Sequence, residues 1–145
     1  MATDTSARLM TTEELLALPE NGMDRELVAG ELRERPMTMR NRHHSEVEAS
    51  IAMVLGVCLR TRPQPRGKVV SGEAGFRLAR DPDTSVGIDV AYVSAEVTSR
   101  SPDTPFFEGA PVLAVEVLSP SDRTEDIDEK VNLYLNLGVA VVWVV

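Results

Sequence analysis

A chain of 145 residues with 43% apolar and 4% aromatic content is long enough for one domain with a sizeable core, built from Val, Leu, Ala and Met. Its net charge of −8 excludes broad, non-specific nucleic-acid binding, which sets Lys and Arg against phosphate, but not a nuclease, whose carboxylate metal site is itself negative. Cys58 is the single cysteine, so no internal disulfide forms and a reducing, cytoplasmic setting fits; no apolar run reaches the roughly 20 residues of a membrane span, and no signal-peptide core opens the chain.

Residues 1–10 are small, polar and unpatterned, and are expected to form a disordered leader; residues 11–145 are expected to form a single domain. Thr11-Thr12-Glu13-Glu14 before Leu15 and Leu16 reads as a capping box opening a short helix that Pro19 stops. Glu26 to Leu32 reads as two strands around a tight turn at Ala29-Gly30. A longer helix is expected from about His43 to Leu59, with Val47, Ile51, Val54 and Cys58 on its inward face. That placement makes Cys58 a core thiol rather than a reactive one. Arg62-Pro63-Gln64-Pro65 ends the helix.

Two short strands follow at 68–71 and 75–78, then a turn at Asp81-Pro82-Asp83 into a strand over 87–93. Residues 94–110 read as loop. Pro111 opens an apolar strand, and Ser119-Pro120-Ser121-Asp122 is expected to cap a helix over 124–137, closed by Gly138. Residues 139–145 are continuously apolar, which reads as a buried strand. This order implies an α/β fold with a mixed central sheet flanked by helices. A chain that stops inside a strand pattern is expected to be truncated at its C-terminal end. Basic residues cluster before the long helix (Arg33, Arg35, Arg40, Arg42) and after it (Arg60, Arg62, Arg66, Lys68), as a groove wall or as a solvated rim.

Three charges stand in apolar settings. Glu116 sits inside Val112–Ser119, Asp89 inside Ile88–Val93, and Lys130 borders the helical stripe Ile127, Val131, Tyr134. An ionised carboxylate buried without a partner costs several kcal/mol, so a cation, a metal or a proton has to accompany each. Taken singly, Glu116 and Asp89 read as structural ion pairs, and Lys130 as a side chain that snorkels past the stripe. Two carboxylates on neighbouring strands and a lysine on the connecting helix fit a divalent-metal site better. Carboxylate oxygens suit Mg2+ or Mn2+, which polarise a phosphate and acidify bound water, while Lys130 orients that water or stabilises developing charge. His44 leads into the inward stripe of the long helix, in a capping, packing or catalytic role. Glu46, one position off that stripe, is an accessory carboxylate or a solvated one. With two histidines and one cysteine, a zinc site has too few ligands. No phosphate-cradling glycine loop, dinucleotide fingerprint or nucleophile elbow is present.

Arg25-Glu26-Leu27-Val28-Ala29-Gly30-Glu31-Leu32, His44, Gly87-Ile88-Asp89-Val90-Ala91, the run Gly109–Ser121, Lys130, Tyr134 and Gly138-Val139 before Trp143 occur in that order. The set resembles the Uma-two family, a branch of the PD-(D/E)XK nuclease superfamily, over about residues 11–145. That resemblance implies a restriction-endonuclease-like core and Mg2+-dependent (or Mn2+-dependent) cleavage of DNA. It also implies Asp89 and Glu116 as metal ligands and Asp89, Glu116 and Lys130 as the catalytic set, with a homodimer as the superfamily expectation for cutting both strands. Departures from the pattern are Ile88 for the usual proline, Leu118 where the superfamily lysine lies, and Ala29 for a usual aspartate. The competing expectation is a non-catalytic binding or assembly module that keeps the fold, with Glu116 and Lys130 as a buried structural pair.

Overall fold

The computed structural model describes residues 8–39, 41–100 and 103–145. These carry, in chain order, α1 (Thr12–Leu16), β1 (Met23–Val28), β2 (Glu31–Pro36), α2 (Arg42–Arg60), β3 (Lys68–Ala79), β4 (Thr84–Val93), α3 (Ala95–Arg100), β5 (Phe107–Glu108), β6 (Leu113–Glu116), α4 (Thr124–Asn136) and β7 (Val141–Val144). Thr11 caps α1 through the full capping box with Glu14. Residues Ala29 and Gly30 take φ of 49° and 78°, the left-handed pair that a two-residue hairpin turn requires. The expected leader lies mostly outside the described residues, yet Met10 donates its N–H to the Gly30 carbonyl at 2.8 Å.

One mixed sheet holds all seven strands, as the alternation of strands and helices implied. Antiparallel pairs join β1 to β2 and β4, and join β4 to β3 and β6; β3–β5 and β6–β7 run parallel. The parallel pair β6–β7 is joined through α4, the helical crossover that parallel strands need. The strand β4 organises the rest. Along one edge it pairs with β3 nearly end to end. Along the other it meets β1 only at Leu27↔Ser85 and β6 only over Val90–Tyr92. The sheet therefore forks beside residues 86–89, a stretch without a paired strand on that edge among the described residues.

Helices cover both faces. On one, Phe76, Ile88, Ala114 and Val139 pack with Tyr134 and Leu133 of α4. On the other, Val90, Val115 and Val117 pack with Val47, Ile51 and Leu55 of α2. The expected phase of α2 needs correction, because its inward face runs through His44, Val47, Ile51, Ala52 and Leu55. Val54 is exposed, and so is Cys58, which is no core thiol. The helix carries two apolar arcs, and only docking against the sheet chooses between them.

Other expectations also change. The two short strands at 68–78 are one strand, β3, bent where the register slips between Ser71 and Ala74; Gly72 and Glu73 take φ of 80° and 58° there. The segment read as loop contains α3, with the Val97 N–H bound to Ser94 Oγ at 3.2 Å. Asp122 does not cap α4, whose N-cap is Arg123 without a side-chain bond; its carboxylate takes the Ser119 N–H instead, at 2.6 Å. The apolar run at the end forms β7 at a sheet edge, and Val141, Trp143 and Val144 are exposed rather than buried.

Asp83 clamps α1 to the start of β4. Its Oδ2 accepts from the N–H and hydroxyl of Thr12 at 2.8 and 2.7 Å. Burial pushes this carboxyl up, but the bonds from Thr12 outweigh it and hold the group below its ordinary 3.8. Its stabilising contribution is thus present above that value and lost as pH falls through the lowered one. Asp83→Ala leaves the Thr12 donors unpaired, and is expected to lower unfolding free energy by about 2–3 kcal/mol, read from urea melts at pH 7.

A candidate metal centre at the fork of the sheet

The register of β4 and β6 ends at Val90↔Val115. Continued by one residue it would set Asp89 against Glu116, and there the strands part. The Val117 N–H goes to Asp89 Oδ2 at 2.9 Å instead of to a strand carbonyl. Both carboxylates are buried, at 5% and 7% exposure, so what surrounds them decides their chemistry.

Glu116 faces α4. Tyr134 donates its hydroxyl to Glu116 Oε1 at 2.8 Å, and Lys130 Nζ lies 3.6 Å from Glu116 Oε2. Lys130 and Tyr134 are four residues apart on one helix, which puts both on the same face. Burial pushes the Glu116 carboxyl up to about 7; Lys130 and the Tyr134 hydroxyl pull it down, while Asp89 and Glu26 push it further up. Burial, reinforced by the carboxylates around it, pushes the Tyr134 hydroxyl far up as well, so it stays a donor.

Asp89 faces α2. The Asn41 side chain caps that helix on the His44 N–H at 2.8 Å, and His44, 2% exposed, turns its ring inward. His44 Nε2 stands 3.4 Å from Asp89 Oδ2, and His44 Nδ1 stands 3.5 Å from Glu48 Oε2. Glu48 is itself held, its Oε1 accepting the Gly72 N–H at 2.7 Å at the bend of β3.

Asp89, Glu116, Lys130 and His44 thus converge, all lining a cavity of about 20 Å³. That is room for one water-sized occupant. Glu46 does not join them; it is exposed and pairs with Arg42 at 2.6 Å. Glu48 is the helix carboxylate at the site. The signal was in the sequence, since a residue four after an inward His44 shares its face and Glu46, two after it, does not. Beside the small cavity a cleft of about 380 Å³ opens between the β1–β2 hairpin and α4, lined among others by Glu26, Arg33, Arg35, Asp126 and Lys130. Glu26 accepts the Gly87 N–H at 3.3 Å, and Arg33 reaches across to Glu129 at 2.9 Å. Arg35 lines both the cleft and the cavity, a cation that reading along the chain left in a diffuse cluster.

The donor set fits a divalent cation. Donor atoms of His44, Glu48 and Asp89 lie within 4.8 Å of one another, Glu116 lines the same cavity as His44 and Asp89, and the charges of Asp89 and Glu26 oppose the ionisation of Glu116. A positive ion between them would relieve that repulsion.

A family model, Uma2, described as "Putative restriction endonuclease", matches residues 12–145. No curated protein matches the chain. Among solved structures the chain is similar to a crystal structure described as a "putative nuclease belonging to DUF820" from Anabaena variabilis. The TM-score is 0.71 at 21% identity, over 91% of this chain and 71% of that one. At that identity the likeness speaks for a shared fold.

Proposed function

The chain belongs to the Uma2 family, and from that premise we propose that it hydrolyses phosphodiester bonds of DNA with a divalent cation, Mg2+ or Mn2+, held by Asp89 and Glu116. The observation that carries this reading is the cavity of about 20 Å³ on which Asp89, Glu116 and Lys130 meet. When bound, the cation supplies Lewis-acid activation of the phosphate and a water of lowered pKa.

The chain's own residues do the rest. Asp89 is fixed by the Val117 N–H and Glu116 by the Tyr134 hydroxyl, so both carboxylates are positioned before substrate arrives. Lys130, half-buried on α4, directs its ammonium at the same cavity and stabilises negative charge that develops on the phosphate. Arg35 is placed to hold a phosphate oxygen at the mouth of the cavity. The cleft beside it receives the strand. Asp24, Glu26, Glu34 and Glu129 on its walls keep non-specific affinity for DNA low.

Those acidic walls also favour a second reading, a non-catalytic module in which Glu116 and Lys130 are only a structural pair. Melting curves with and without millimolar Mg2+ or Mn2+ separate the two. A metal site of about 0.1 mM affinity raises stability by over about 1 kcal/mol, and Asp89→Ala and Glu116→Ala should each abolish the shift. Supercoiled plasmid should be nicked only when the metal is present. A wild-type protein that neither shifts nor nicks is the module.

The chain's described residues include no helix long and apolar enough to cross a membrane.

A further inference from the structure

We propose that His44 supplies a nitrogen ligand to this centre, held in place by Glu48, and that the site therefore prefers a first-row transition dication of the Mn2+ class to Mg2+. This rests on the reading of Asp89 and Glu116 as metal ligands. His44 lines the same small cavity as those two residues. Donor atoms of His44, Glu48 and Asp89 all lie within 4.8 Å of one another.

The ring is buried, yet its Nδ1 has no hydrogen-bond partner. An unsatisfied buried polar atom costs about 1–3 kcal/mol, a cost that closure of Glu48 onto Nδ1 in the metal-bound centre would remove. The separation of 3.4 Å between His44 Nε2 and Asp89 Oδ2 is long for a hydrogen bond. It is close to the roughly 3 Å between adjacent donors around an octahedral ion. Glu48, anchored by the Gly72 N–H, stands 3.5 Å from Nδ1. A small closure of Glu48 on metal binding would take the Nδ1 proton and leave the Nε2 lone pair for the cation. Glu48 is thus a positioning residue. An imidazole donor raises affinity for Mn2+ and later first-row ions over Mg2+, which favours oxygen alone.

Mn2+ titrated into the full chain tests this by electron paramagnetic resonance. Bound Mn2+ should show 14N modulation in its spin-echo envelope, and Mg2+ should displace it only in more than about ten-fold excess. His44→Gln should remove the modulation and His43→Gln should keep it; these are the chain's two histidines. If His44→Gln does not fold, His43→Gln decides alone, since loss of the modulation there overturns the proposal. Glu48→Ala should weaken Mn2+ binding by about ten-fold with the nitrogen coupling retained. Bound Mn2+ without 14N coupling, or coupling that survives His44→Gln, overturns the nitrogen ligand and leaves the centre at Asp89 and Glu116 standing. A wild-type protein that binds no Mn2+, with or without a DNA oligonucleotide, removes both.

Discussion

Replacing Asp89 with asparagine is expected to lower metal-dependent plasmid nicking on the order of a thousand-fold while leaving the fold in place. The amide oxygen of the replacement can still accept the Val117 N–H that Asp89 takes at 2.9 Å, so the parting of β4 and β6 keeps its bond. What disappears is one negative charge beside the cavity, and with it much of the attraction for a dication. Lys130→Met tests the other half of the mechanism. Its ammonium sits 3.6 Å from Glu116, and at saturating metal its loss should reduce nicking on the order of a hundred-fold. Gel assays of supercoiled plasmid across a Mn2+ series, beside far-ultraviolet spectra of each variant, read both effects. Nicking at the wild-type rate in Asp89→Asn would remove Asp89 from the reaction.

Glu116→Gln is expected to make the metal-free protein more stable at pH 8, by about 3 kcal/mol. Burial and the neighbouring carboxylates raise the folded-state value to about 7 from 4.5. Between those values the folded chain binds more protons at this site than the unfolded chain. The site's contribution to stability is therefore fully present below 4.5 and is lost as pH rises through 7. Gln carries no charge to bury, and its oxygen still accepts the Tyr134 hydroxyl. Urea melts of wild type at steps between pH 4.5 and 8 should fall in stability across that window, and those of the variant should fall less. Equal slopes would mean that Glu116 is ionised without cost, which would contradict its burial among carboxylates. The variant should lose nicking as well, so one substitution would gain stability and lose function, as expected of a charge kept for its chemistry.

Much of this was legible along the chain, because it depends on neighbours in sequence. The capping box at Thr11, the turn at Ala29-Gly30 and the helix that carries Lys130 and Tyr134 on one face each follow from short-range rules. Glu116 and Asp89 stood out because a charge inside an apolar strand is costly wherever that strand lies. Tertiary structure decided what required a second surface. The two apolar arcs of α2 are equivalent until the sheet buries one, which is why Cys58 and Val54 went outward and Glu48, not Glu46, came to the site. The run 139–145 is apolar enough for a core strand, but β7 pairs only with β6 among the described residues, so it forms an edge. The fork beside β4 is a property of three strands together, and it alone brings residues from β4, β6, α2 and α4 to one cavity. The sequence determined which groups are costly to bury, since that cost belongs to each side chain; only the fold decided which of them share their burial, since that depends on where the strands part.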